Sequence, residues 1–170
     1  MSAALALSLS NARLDSAADL VSWLRGEAGL EPDQAAELAL RLAEFKELRS
    51  CLLDLVGAAG QGRPLPDDAV GRLNEISARV PRVARLGGDG SSLEPIAASG
   101  APLLLAEIAW SAIGLLGGPD RERLRRCPAC GMIFVATRPD RLWCSDRCGN
   151  RIRVARHHAR MRGPTYPVRG

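Results

Sequence analysis

The sequence predicts a mainly α-helical protein with a small β-hairpin, an α+β fold in two parts. Residues 1–120 repeat apolar side chains at steps of three and four, the spacing of one face of a helix. Residues 121–170 contain four closely spaced cysteines, and a Gly-Gly-Pro-Asp sequence precedes them. The total length of 170 residues therefore fits one helical domain and one module too small to fold on a hydrophobic core alone.

The helical domain contains several segments with identifiable starts and ends. An apolar pattern at residues 20–24 ends at glycines, and Pro32 begins a long amphipathic helix predicted to end near Gly57. A shorter helix is expected after the loop at residues 64–68. Residues 103–116 are so apolar that we expect their helix to lie at the centre of the domain.

A short β-hairpin is predicted near residues 79–98. Residues 87–90 have the sequence Gly-Gly-Asp-Gly, which is typical of a tight turn, and partly alternating segments flank it. This hairpin is the β-structure expected in the first domain.

No stretch reaches the roughly 18 uninterrupted apolar residues that a transmembrane helix needs. Residues 1–9 are mildly apolar but lack the basic start of a secretory signal. We therefore expect a cytoplasmic protein with no membrane partner.

Two short cysteine pairs dominate the second part of the chain. Cys127 and Cys130 form the first pair, Cys144 and Cys148 the second, and thirteen residues lie between the pairs. In a reducing cytosol such cysteines are metal ligands rather than disulfides, and four thiolates match the tetrahedral coordination of zinc. Because four thiolates leave no open position for water, we predict one structural Zn²⁺. Cys51 stands apart and is predicted to be a buried apolar residue.

The residues around the cysteines predict the local fold. Gly131 is free to take the positive φ of a tight knuckle after the first pair. The β-forming residues 133–135 and 141–143 are expected to pair as a hairpin, and Ser145 is expected to cap a helix that begins at the second pair. Knuckle, hairpin and helix together predict a treble-clef-like zinc finger.

A basic helix is predicted after the second cysteine pair. Residues 121–170 contain 13 basic and 3 acidic residues, whereas residues 1–120 contain 10 basic and 16 acidic ones. Ile152, Ala155 and Ala159 lie on one face of this helix, which we expect to pack on the finger. The candidate nucleic-acid-binding residues lie on the other faces: Arg147, Arg151, Arg153, Arg156 and Arg160.

Two functions of these arginines are compatible with the sequence. Guanidinium groups bind phosphates and an α-helix fits the major groove, so the helix could dock on duplex DNA. Alternatively, the arginines could be solvated or could pair with the acidic first domain. His157 and His158 lie about 14 Å beyond Cys148 along the helix and are not expected to bind the metal.

The second cysteine pair also carries a family resemblance. Trp-Cys-Ser at residues 143–145, followed by Cys-Gly-Asn-Arg at residues 148–151, closely resembles the CGNR zinc finger over about residues 124–162. In that family the finger follows an ABATE domain, and the pair is described as a stress-induced bacterial transcription regulator. Residues 5–7 with Asn11 are similar to the opening of that domain, although Ser8 and Ala12 replace its usual acidic residue and threonine.

The resemblance implies zinc binding by the same four cysteines and DNA binding by the finger. Gly149 could allow close approach to the hairpin or to DNA. Asn150 could bond backbone near the knuckle, the alternative we favour, or contact an adenine edge.

The leading hypothesis is a DNA-binding transcription regulator whose first domain senses a ligand, forms a homodimer or binds a partner. The alternative is a zinc-dependent adaptor that engages an acidic protein. An enzyme is not expected, because residues 1–120 contain no histidine and no recognisable catalytic set. The sequence does not define a small-molecule ligand.

Overall fold

The computed structural model describes residues 4–88, 90–95 and 98–161, and it confirms a mainly helical fold with small antiparallel strand pairs. The helices are α1 (Ala4–Asn11), α2 (Ala17–Gly26), α3 (Pro32–Ala39), α4 (Leu42–Gly60), α5 (Asp67–Ala78), α6 (Gly100–Gly117) and α7 (Asp146–Met161). The strands are β1 (Arg82–Gly87), β2 (Gly90–Pro95), β3 (Leu124–Arg126) and β4 (Ile133–Val135). A 3₁₀ turn, Pro119–Arg123, joins α6 to β3.

Helix α6 lies at the centre of the helical core. It contacts α1, α4 and α5, and Ile108, Ala109 and Ala112 on it are fully shielded from solvent. An all-round apolar helix is stable in water only when its neighbours cover it. The position of α6 therefore follows from its composition, as the sequence predicted.

Helix α6 is also the one described helix long and apolar enough to be compared with a transmembrane segment. It is 18 residues long with a mean hydropathy of 1.5, so length and composition alone would allow it to cross a membrane. Its apolar residues are not uninterrupted, since Glu107 and Ser111 lie within the helix. Within the structure 61% of the helix is buried, as expected for the core helix of a soluble protein.

The long helix predicted from Pro32 to Gly57 is instead two helices, α3 and α4. The amide of Arg41 bonds the carbonyl of Leu38, a 3₁₀-type contact, and Arg41 has φ −97° and ψ 24°. The break turns α3 against α2 and leaves Leu40 85% exposed. Apolar spacing misses this break because it continues on both sides of the bend. Helix α4 also runs three residues further than predicted.

Helix α1 was not predicted. It has eight residues and no acidic residue in its first turn. Ala6 and Leu9 are buried, and the Ala6 amide donates to Ser111 Oγ on α6 at 3.2 Å. This helix is therefore stabilised by packing on α6 and not by charged residues at its own ends.

Strands β1 and β2 form the predicted hairpin. They pair antiparallel from Arg82 opposite Pro95 to Gly87 opposite Gly90. The Arg82 guanidinium lies 3.6 Å from the centre of the Trp110 ring on α6, which attaches the base of the hairpin to the core. Leu86 and Leu93, nearer the turn, are 87% and 59% exposed.

The two parts of the chain share one hydrophobic core. Leu124 in β3 and Ile133 in β4 are 0% and 8% exposed, and both belong to the cluster that the helices form. Asn11, at the end of α1, donates from Nδ2 to the Ile133 carbonyl and accepts the Ile133 amide at Oδ1, each at 2.8 Å. This paired amide contact ties the first helix to the finger.

Replacing Asn11 by Ala should lower the free energy of unfolding by about 1–3 kcal/mol, because it leaves two partly buried backbone groups without partners. Urea denaturation followed by circular dichroism measures the loss. Asn74→Ala is the matched control, since Asn74 is exposed on α5. Equal stability of the two variants would show that the Asn11 contact contributes nothing.

Candidate metal centre

The first cysteine pair lies in the turn between β3 and β4. The Cys127 amide donates to the Met132 carbonyl and the Gly131 amide donates to the Cys127 carbonyl, both at 2.8 Å. Gly131 has a φ of +78°, a conformation that favours glycine. The backbone therefore closes a tight knuckle that presents both sulfurs to one side.

The strand pairing of the finger differs from the prediction. Residues 141–143 form no strand, and β4 pairs antiparallel with β3, Leu124 opposite Val135 and Arg126 opposite Ile133. The hairpin thus flanks the first cysteine pair instead of connecting the two pairs. The reason lies in packing, because this pairing puts Leu124 and Ile133 into the helical core.

Arg141 holds the loop before the second cysteine pair, where a second strand was predicted. Its Nε donates to the Trp143 carbonyl at 3.1 Å, its Nη2 to the Cys144 carbonyl at 2.8 Å and its Nη1 to Thr137 Oγ1 at 3.2 Å. One guanidinium therefore braces the loop that delivers the second cysteine pair. This role is not evident in the sequence, because the apolar neighbours of Arg141 favour a strand.

The second cysteine pair lies at the start of α7. The Ser145 hydroxyl accepts from the Cys148 amide at 3.4 Å, and the Ser145 carbonyl accepts from the Gly149 amide at 3.2 Å. Ser145 thus lies where an N-cap residue would, with Cys148 in the first turn. Of the cysteines, Cys127 is 1% exposed, Cys148 is 9% exposed and Cys130 lies at the surface.

The four sulfurs fit a single zinc ion. All lie within 4.8 Å of one another, with 3.5 Å between those of Cys130 and Cys144 and 3.7 Å between those of Cys144 and Cys148. A tetrahedron with Zn–S bonds of about 2.3 Å has S···S edges of about 3.8 Å. The prediction of one structural zinc is confirmed, and four thiolates complete its coordination.

The thiols of Cys127 and Cys144 have very different proton affinities. Burial raises the pKa of Cys127, but hydrogen bonds from the Cys144, Ala129 and Cys130 backbones outweigh it and lower the pKa to about 6. Burial, with hydrogen bonding among the neighbouring thiols, raises the pKa of Cys144 to about 12. A divalent cation stabilises all four thiolates together, so binding it displaces the remaining protons.

The three residues that follow Cys148, Gly-Asn-Arg, have different surroundings. A Cβ on Gly149 would lie 3.7 Å from the Trp143 ring, an ordinary contact distance, so the ring does not require glycine there. The Arg151 guanidinium bonds the Ala129 carbonyl of the knuckle. Asn150 Oδ1 accepts from Arg153 one turn further on, and the described residues show no bond from Asn150 to the knuckle.

Most of α7 projects from the finger. Cys148 and Gly149 are its buried residues, whereas Val154 is 54% exposed and Met161 75% exposed. The expectation that Ala155 and Ala159 pack on the finger is wrong, since both are exposed. With no strand at residues 141–143, nothing in the described finger extends beneath this part of the helix.

The remaining predicted residues lie on this projecting helix. Among the described residues the metal-binding group consists of the four cysteines and does not include His157 or His158, whose rings are 6.0 Å apart on α7. The five arginines from Arg147 to Arg160 are exposed. Their assignment to nucleic acid stays a prediction, and Arg162 lies outside the described residues.

A helical domain joined to a four-cysteine finger defines a zinc-finger protein. Residues 3–119 match the family model ABATE, described as "Putative stress-induced transcription regulator", and residues 123–161 match the CGNR zinc finger. The chain belongs to the ABATE family and carries a CGNR zinc finger. The ABATE description is that of a regulator, and neither description is that of an enzyme. A comparison with curated proteins found no match.

Replacing Cys144 by Ser should abolish stoichiometric zinc binding, because a three-thiolate site lacks the fourth anionic ligand. We expect α7 and the second cysteine turn to lose structure while α1–α6 still unfold cooperatively, at lower stability since β3 and β4 share their core. Metal analysis and circular dichroism measure both effects. Cys51→Ala is the control, and full zinc content in Cys144→Ser would contradict the site.

Two glycines of the finger should respond oppositely to alanine. Gly131→Ala should destabilise the zinc-loaded finger by about 1–2 kcal/mol, because its φ is positive. Gly149→Ala should be neutral or stabilise by up to about 1 kcal/mol, because Gly149 is helical and has room for a Cβ. Zinc release to a competing chelator ranks the variants. The same loss in both would refute the distinction.

Proposed function

We propose that this protein is a cytoplasmic, non-enzymatic transcription regulator that binds duplex DNA through α7. The carrying observation is that the arginines of α7 are exposed and that none of them forms an ion pair with a described carboxylate. This opposes the alternative in which they neutralise the acidic first domain. Exposed cations that are not paired with a carboxylate are available for phosphates.

The spacing of the arginines suits a nucleic-acid backbone. Arg153, Arg156 and Arg160 lie on one face of α7 and span about 10 Å along its axis. An α-helix fits a major groove about 12 Å wide, and most of α7 is exposed and free of contacts with the described finger. We assign most of these contacts to phosphates, which set affinity rather than sequence preference.

The five arginines are not equivalent in this proposal. Arg151 already donates to the knuckle, and we give it a structural role. Arg153 bonds Asn150 and Arg160 bonds the carbonyl of Arg156, but both keep further N–H groups for a phosphate. Arg147 and Arg156 make no side-chain bond to any described residue and are the most available.

The helical domain then supplies the regulatory input by binding a ligand, a partner or a second copy. Exposed Leu86 and Leu93 on the β1–β2 hairpin support a homodimer. Two copies would present two α7 helices, the arrangement that reads paired half-sites.

A zinc-dependent adaptor for an acidic protein is the second candidate. Val154 and Met161 are exposed on α7 and lie on the same face of the helix. Apolar side chains contribute little to phosphate binding but are typical of a helix that docks on a protein.

Replacing Arg153, Arg156 and Arg160 together by Gln should weaken DNA binding and reduce the slope of log K against log salt by about 3, because three phosphate contacts are lost. Fluorescence anisotropy of a labelled duplex at several salt concentrations measures both quantities. Chelator-treated protein should also lose binding, since the finger positions α7.

The matched control is Arg25→Gln, Arg72→Gln and Arg79→Gln in one chain, which removes the same charge from exposed positions on or beside α2 and α5. This variant should keep the wild-type slope. If both triple variants behave alike, net charge rather than α7 governs binding. If wild-type protein does not bind duplex DNA, the adaptor function is the better supported of the two.

A further inference from the structure

A cavity of about 400 Å³ lies where the helical domain meets the zinc finger. Helix α4 forms one wall with Arg49, Leu53 and Val56, and the knuckle forms the opposite wall with Met132 and Ile133. Its size and its position between two parts of the chain are typical of small-molecule sites, and its lining combines apolar with polar and basic residues.

The charged residues around this cavity all have the same sign. Arg49, Arg125 and Arg126 line it, and no aspartate or glutamate does. Arg125 Nη1 donates to the Glu122 and Leu124 carbonyls, each at 2.7 Å, and Arg126 Nε to the Gly131 carbonyl at 3.3 Å. Among the described residues, none of these three guanidinium groups bonds a carboxylate.

Arg49 is the most informative of the three. Its Nε is shielded from solvent and has no acceptor among the described residues. Placing part of a guanidinium out of water without an acceptor costs free energy. An anion bound against this side chain would offset that cost, and the apolar walls would cover the rest of the ligand.

We propose that this junction cavity binds a small organic anion, a carboxylate attached to an apolar body. The arginines would hold the carboxylate, and Leu53, Val56 and Met132 would pack on the apolar body. Because the walls come from both parts of the chain and include zinc-ligating Cys130, the occupied cavity stabilises their docking. The site is distinct from α7 and does not depend on DNA binding.

Benzoate is a suitable probe because it joins one carboxylate to one apolar ring. Calorimetric titration into zinc-loaded full-length protein should give saturable binding, and Arg49→Gln should weaken it about tenfold or more. Inorganic phosphate, which lacks an apolar body, should bind at least about tenfold more weakly than benzoate. Amide shifts of Gly131, Met132 and Ile133 in an NMR titration should locate the benzoate.

Arg25→Gln is the matched control, because it removes the same charge from an exposed position on α2 and should leave benzoate binding unchanged. Met132→Glu tests the opposite wall, since Met132 is 47% exposed and tolerates a polar residue while its carboxylate repels the probe. Met132→Glu also keeps the test valid if Arg49→Gln fails to fold. Any of three results would overturn the proposal. These are no binding of benzoate, equal weakening of benzoate binding by Arg25→Gln and Arg49→Gln, and phosphate binding as tight as benzoate binding.

Discussion

The attraction of four thiolates for one divalent cation organises the C-terminal part of this protein, from about residue 121 onward. Residues 121–161 contribute few large buried side chains, so their apolar surface cannot offset the entropy of ordering the chain. The zinc site supplies the missing free energy and fixes two turns distant in sequence. Three further residues support the zinc site, because each stabilises a turn that carries a cysteine ligand. They are Gly131, Ser145 and Arg141.

The finger is stabilised by the helical domain as well as by metal. Leu124 and Ile133 enter the core built around α6, and the Asn11 amide clamps the Ile133 backbone. The knuckle therefore has one side on zinc and the other on the helices. This arrangement links metal binding to the helical domain. Because β4 lies between the core and the first cysteine pair, a change in its docking would displace residues of both.

The first turn of α7 and the rest of the helix have different roles. Its first turn must hold Cys148 against the metal, and Arg151 adds a bond to the knuckle. Beyond that turn the helix leaves the finger, and its arginines find no carboxylate among the described residues. This combination of a rigidly held start and a solvated cationic end is well suited to presenting charge to a polyanion. The residues that line the junction cavity do not include any of α7, so the two proposed sites use different residues.

The metal chemistry, the family and the central helix could all be predicted from the sequence, because cysteine spacing and an all-apolar helix leave few physical alternatives. The sequence also located the β1–β2 hairpin, since a glycine-rich turn is a local signal. Three features became evident only in the folded protein: β4 pairs with β3, the chain bends at Arg41, and α1 is a helix. These features depend on packing against α6 and the shared core, and hydrophobic spacing is the same whichever neighbour buries it. The bracing roles of Arg141 and Asn11 likewise follow from long-range contacts that no local pattern encodes.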